Sequence, residues 1–193
     1  MMMSLAWLLY IITTSAAADD QSSPPVLDTD GQPVMRGTDY HILPAAAAAT
    51  DPAGGLTLAS LPSPNRCPLY VAQEPPEAAP SEGLPVHFSP VTAGEDVVRE
   101  ARDVVATFSV ATTCARSTSW RIGVEDGETG RRFVATEGLP SYFRINATAT
   151  GGAYQIASCE GGPRCGAAGI LMREGGRFLA LDGPAFPFRF KRV

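Results

Sequence analysis

Gly130-Arg131-Arg132-Phe133-Val134-Ala135-Thr136-Glu137-Gly138 and Gly175-Gly176-Arg177-Phe178-Leu179-Ala180-Leu181-Asp182-Gly183 follow one pattern. A turn glycine leads into Arg-Phe, an aliphatic residue and alanine, and an acid-glycine pair closes the segment. Such a stretch reads as a short strand between two turns. The two phenylalanines stand 45 positions apart. A second echo runs through Leu69-Tyr70-Val71, Arg121-Ile122-Gly123 and Ile170-Leu171-Met172, and a third through strands at Tyr40, Phe108 and Tyr154. Recurrence with a period of about 50 residues signals repeated structural units. Three propeller blades are too few to close a ring, whereas three units of four strands close a barrel. The expected fold is therefore all-β, a β-trefoil of about 12 short strands with pseudo-threefold symmetry.

The rest of the chain fits that frame. Alternating segments occur at Tyr40–Leu43, Leu56–Leu58, Val86–Phe88, Phe108–Val110, Trp120–Ile122, Phe143–Ile145, Tyr154–Ile156 and Phe188–Phe190. Clusters of Gly, Pro, Asp and Ser separate them, and helical periodicity is nearly absent. The alanine run Ala45–Ala49 is short and lies between Pro44 and Pro52, so it reads as a loop. In such a barrel the aromatic residues are core, and function falls to the loops.

The 193 residues, with 45% apolar and 18% charged side chains, suit one folded domain rather than a disordered chain. A net charge of −5, with Lys191 the lone lysine and scattered arginines, excludes a phosphate-binding face and hence a nucleic-acid partner. His41 and His87 are the only histidines, leaving little material for a metal cage or a histidine-based catalytic centre. No nucleophile elbow, phosphate-binding loop, zinc helix or dinucleotide fingerprint occurs. The carboxylate pairs Glu95-Asp96 and Glu125-Asp126 read as solvated loops rather than the facing pair of a glycosidase. Arg131-Arg132 and Lys191-Arg192 likewise read as solvated surface. No enzyme activity, metal or cofactor is expected.

Leu5–Ile12 is an apolar run too short to span a bilayer, followed by Ala16-Ala17-Ala18. This is the form of a signal peptide over 1–18, cleaved after Ala18, although MMMS lacks a basic residue. The competing reading is a buried N-terminal helix. The expectation is a secreted or vacuolar protein with one domain over 19–193, a monomer with no membrane span. In that compartment Cys67, Cys114, Cys159 and Cys165 read as disulfides, with three possible pairings. Proximity favours Cys159–Cys165, leaving Cys67–Cys114; the spacing does not suit zinc. Asn146-Ala147-Thr148 is a glycosylation sequon, expected on an exposed loop with Asn146 as acceptor.

The segment Val26-Leu27-Asp28-Thr29-Asp30-Gly31, continuing through Arg36-Gly37-Thr38-Asp39-Tyr40 to Leu43, resembles the N-terminal signature of plant Kunitz-type inhibitors, the soybean trypsin inhibitor family. Cys67-Pro68-Leu69, Ser89-Pro90, Cys114, Trp120, Phe143-Arg144-Ile145 and Tyr154 before Cys159 follow in the family's order. Within the family the likeness runs to the cereal α-amylase/subtilisin inhibitors, through Pro25-Val26, Gly55–Leu58, Thr112–Cys114 and Ser117–Trp120. The resemblance spans nearly all of residues 19–193, and the four cysteines fall where the family's two disulfides need them. It implies a β-trefoil and substrate-like inhibition of serine endopeptidases.

By this resemblance the inhibitory loop is Pro90-Val91-Thr92-Ala93-Gly94, extending to Glu95, with Thr92–Ala93 facing the protease nucleophile. With no Arg or Lys at that position, the implied target is subtilisin-like rather than trypsin-like. A bracing asparagine of legume members corresponds here to Arg36, which either braces by a longer reach or leaves the loop loose. The alternative is an α-amylase inhibitor acting through another surface. There the cereal inhibitors' lysine corresponds to Gln155, and their Glu and Tyr to Gly183 and Ala185, which removes charge pairing and an aromatic anchor. A storage or plant-defence protein without a retained target is the remaining reading.

Overall fold

The computed structural model describes residues 23–45, 53–61, 66–78, 81–160 and 165–193. The signal-peptide expectation for 1–18 and most of the alanine run lie outside them. Thirteen strands are present among these residues: β1 (Asp39–Pro44), β2 (Leu56–Ala59), β3 (Tyr70–Gln73), β4 (Val86–Pro90), β5 (Asp103–Phe108), β6 (Arg121–Asp126), β7 (Arg131–Ala135), β8 (Phe143–Ala147), β9 (Tyr154–Ser158), β10 (Gly166–Ala167), β11 (Gly169–Arg173), β12 (Gly176–Leu181) and β13 (Phe188–Arg192). A 3-10 turn at Pro76–Ala78 is the one helical element described.

Six strands form a closed ring, pairing in the order β1, β4, β5, β8, β9, β13 and back to β1. The period-two sequence pattern is what closes it. On β5 every second residue is buried (Val104, Ala106, Phe108), on β4 Val86, Phe88 and Pro90, and on β13 Phe188 and Phe190. Their inward side chains meet in a core where Trp120 packs between Phe108 and Phe143 at centroid distances of 5.8 and 5.6 Å. Phe190 lies 5.4 Å from Phe88 and 5.7 Å from Tyr154.

The remaining long strands form three hairpins, β2–β3, β6–β7 and β11–β12, which cap one end of the barrel. Their second strands pair with one another, through Tyr70 with Ala135, Phe178 with Ala72 and Ala180 with Phe133. Tyr70, Phe133 and Phe178 thereby meet edge to face at 6.0, 6.0 and 6.2 Å. A six-stranded barrel capped by a hairpin triplet is a β-trefoil. Twelve strands make three units of four, and the two-residue β10 is an addition beside Cys165.

The repeat is thus real but needs correcting in two places. Tyr70 is the third member of the Phe133 and Phe178 set, not a partner of Ile122 and Leu171, because it lies on the second strand of its hairpin. The fifth strand ends at Phe108 rather than beginning there. Both disulfides join as expected, Cys67–Cys114 with Cα atoms 5.3 Å apart and Cys159–Cys165 with 3.9 Å. In the chain-entropy view they stabilise by about 4 and about 2 kcal/mol respectively. Of the Arg131-Arg132 pair, Arg132 is a brace within the fold instead of solvated surface. Arg132 grips Asp182 through two bonds of 2.6 and 2.9 Å and donates to the Glu160 carbonyl at 2.8 Å. Among the described residues no helix is long and apolar enough to cross a membrane.

Candidate functional site

The loop from Pro90 to Arg102 joins the first unit to the second. Its anchorage begins in the N-terminal segment, which turns at Asp28: the carboxylate accepts from the Asp30 and Gln32 amides at 3.0 and 2.8 Å, and Gly31 takes a φ of +75°. The returning chain then threads along the loop. Val26 donates to Val98 and Val98 to Val34, at 2.9 and 2.8 Å, while Met35 bridges Val97. Two barrel tyrosines hold this segment down, Tyr154 accepting from the Leu27 amide at 2.8 Å and Tyr40 from the Met35 amide at 2.9 Å. These contacts explain the spacing of Asp28, Gly31, Gly37 and Tyr40.

A turn from Met35 to Thr38, with Gly37 at a φ of +67°, presents Arg36 to the loop. The Arg36 amide donates to Asp96 O at 2.7 Å. Its Nε donates to Glu95 O at 2.9 Å, and its Nη2 to Pro90 O at 2.9 Å and Thr92 O at 3.4 Å. The Asp96 carboxylate lies 3.5 Å from Nε. Arg36 therefore reaches the loop carbonyls in the longer-armed way.

Within the loop, Val91 donates to Asp103 O at 3.0 Å, extending the β4–β5 ladder by one bond. Glu95 donates to Thr92 O at 3.3 Å and closes a turn with Gly94 at a φ of +77°. A positive φ at that third turn position favours glycine. Val91, Thr92, Ala93 and Gly94 are exposed, whereas Pro90 is buried and anchors the strand end. Glu95 departs from expectation. Its side chain is only 12% exposed and lies 3.0 Å from Arg99 Nε, so it supports the loop from beneath. Its four-residue spacing to Arg99 was the available signal.

The residues at the alternative amylase face divide. Gln155 and Ala185 line one shallow cavity of about 310 Å³ with Thr148, Ala153 and Pro187. Gly183 is not part of it: a Cβ there would lie 1.3 Å from Arg131 Nη1, so the guanidinium fills the space of a side chain. Asn146 sits on β8 opposite Gln155, half-buried on a strand rather than on an exposed loop. Asp39, Ser109 and His87 also meet, but not as a nucleophilic triad. Ser109 donates to the Asp39 carboxylate directly, and His87 Nδ1 lies 2.9 Å from the Ser109 oxygen, so the serine stands between acid and imidazole.

The fold is a disulfide-linked β-trefoil with an exposed loop laced to its N-terminal segment. Residues 26–192 match the legume-type Kunitz family, described as trypsin and protease inhibitor. The chain belongs to this family. It is 39% identical over 181 residues to Kunitz type trypsin inhibitor 104 of Medicago truncatula, covering 86% of this chain and 87% of that protein. It is 36% identical to an alpha-amylase/subtilisin inhibitor of Oryza sativa subsp. japonica, covering 88% and 85%. Its fold superimposes on a Kunitz type trypsin inhibitor from Cicer arietinum with a TM-score of 0.76 at 28% identity, covering 88% of this chain and 99% of that one. These relatives are inhibitors, not enzymes.

Proposed function

We propose that the protein is a secreted inhibitor of subtilisin-like serine endopeptidases, which it engages in a substrate-like manner through Pro90-Val91-Thr92-Ala93-Gly94. The observation that carries this reading is the Arg36 guanidinium bonded to three loop carbonyls. A loop ordered before binding avoids much of the entropy lost on association. Its exposed side chains are small or aliphatic, and none is the cation that a trypsin pocket pairs with a carboxylate. Cleavage of 1–18 and a glycan on Asn146 belong to the same reading of a secreted chain.

Residual activity of subtilisin, trypsin and α-amylase, each at micromolar excess of purified protein, tests the proposal. Subtilisin alone should be strongly inhibited. Inhibition of starch hydrolysis without protease inhibition would instead favour the other face.

A further inference from the structure

We infer that the bond offered to the protease is Val91–Thr92, one residue before the position the family resemblance implies, with Val91 entering the enzyme's primary pocket. The inference rests on the inhibitory reading and specifies its chemistry. A scissile carbonyl must point out of the inhibitor, because the protease's oxyanion hole grips it with its own N–H donors. Thr92 O does not: it faces inward, accepting from Arg36 Nη2 and from the Glu95 amide. Pro90 O and Glu95 O are likewise turned in to Arg36. The Val91 and Ala93 carbonyls take no hydrogen bond from the described residues.

Of these two, Val91 has the right surroundings. Ala93 and Gly94 are the central residues of the turn closed by Glu95, with Gly94 at a φ of +77°, so the chain there is bent rather than extended. Val91 continues the extended β4 ladder through its bond to Asp103 O, and its aliphatic side chain is 47% exposed. Arg36 also straddles this particular bond, since Nη2 holds the carbonyls of the residues before and after Val91.

That straddle accounts for slow net hydrolysis. Attack of the protease serine oxygen on the Val91 carbonyl carbon forms an ester and breaks the bond to the Thr92 nitrogen. The serine proton passes through the enzyme's histidine to that nitrogen, leaving a free amine. Because Arg36 keeps Pro90 and Thr92 in place, the amine stays beside the ester. Its return attack reforms the peptide bond and restores the serine hydroxyl. Attack by water instead yields a Val91 carboxylate and a nicked chain.

Prolonged incubation with catalytic subtilisin, then reduction and N-terminal sequencing, locates the nick. A new terminus at Thr92 is expected, and one at Ala93 or Gly94 overturns the inference. If no nick accumulates, Val91→Lys and Thr92→Arg decide between the registers. Val91→Lys should lower the trypsin inhibition constant at least tenfold and Thr92→Arg should not; the reverse result, or no gain from either, overturns it. Absence of subtilisin inhibition by the wild-type protein would instead remove the inhibitory reading itself.

Discussion

Arg36 and Glu95 are 59 residues apart in the chain, yet Arg36 Nε donates to the Glu95 carbonyl at 2.9 Å. Together with the bonds to Pro90 and Thr92, this makes one surface arginine the hinge pin of the exposed loop. Replacing it tests pre-organisation, because Arg36 bonds the loop's backbone carbonyls and not its exposed side chains. Charge-assisted hydrogen bonds contribute about 1.5–3 kcal/mol when well formed, and partial exposure reduces this. Arg36→Ala should therefore weaken subtilisin inhibition by roughly 10- to 100-fold and speed loop cleavage. Thermal unfolding should change little, since the guanidinium packs no core.

The aromatic triad gives the opposite signature. Phe178 is 1% exposed and meets Tyr70 and Phe133 on the axis of the hairpin cap. Phe178→Ala should destabilise by about 3–5 kcal/mol, the usual range for a buried aromatic. Denaturant unfolding measures this, while inhibition per folded molecule should hold, because the cap and the loop lie at different parts of the barrel.

Much of this architecture was legible in the sequence, for a physical reason. Barrel strands bury one face, so Val86, Phe88, Phe143, Ile145, Phe188 and Phe190 stand out by alternation. Val104-Val105-Ala106 does not alternate in residue type although it does in burial, so the visible alternation shifts β5 toward Val110. Tyr70 escapes the 45-residue spacing because the long connections after it, 74–85 and 91–102, place Phe133 63 positions further on. At the loop, residue types showed what is absent, a basic contact residue, but not which way each carbonyl points. Carbonyl direction follows from bonds to Arg36, and Glu95 is drawn in by Arg99, whose Nε lies 3.0 Å from its carboxylate.

The two disulfides should differ in weight. Paired Cys67→Ala and Cys114→Ala changes should cost about 4 kcal/mol of unfolding free energy, against about 2 for Cys159→Ala with Cys165→Ala. Chemical denaturation of the two double variants checks the order.

Acid should loosen the brace between the second and third units. Hydrogen bonding from Arg132 holds the Asp182 carboxyl below its ordinary value of 3.8. A depressed folded value means the contribution is complete above the unfolded pKa and disappears as pH falls through the lower, folded one. Asp182→Asn should thus be less stable than wild type at neutral pH. The gap should begin to narrow below about pH 4, the unfolded carboxyl's range, and close as pH falls through the lower, folded value. Melting temperatures of both proteins between pH 2 and pH 7, values spanning the carboxylate range, follow this convergence.

The most direct test of the account is an active-site titration of subtilisin with the purified protein. The braced loop predicts that activity falls linearly to near zero at one equivalent, while trypsin under the same conditions keeps most of its activity. Full subtilisin activity in the presence of a micromolar excess would contradict it.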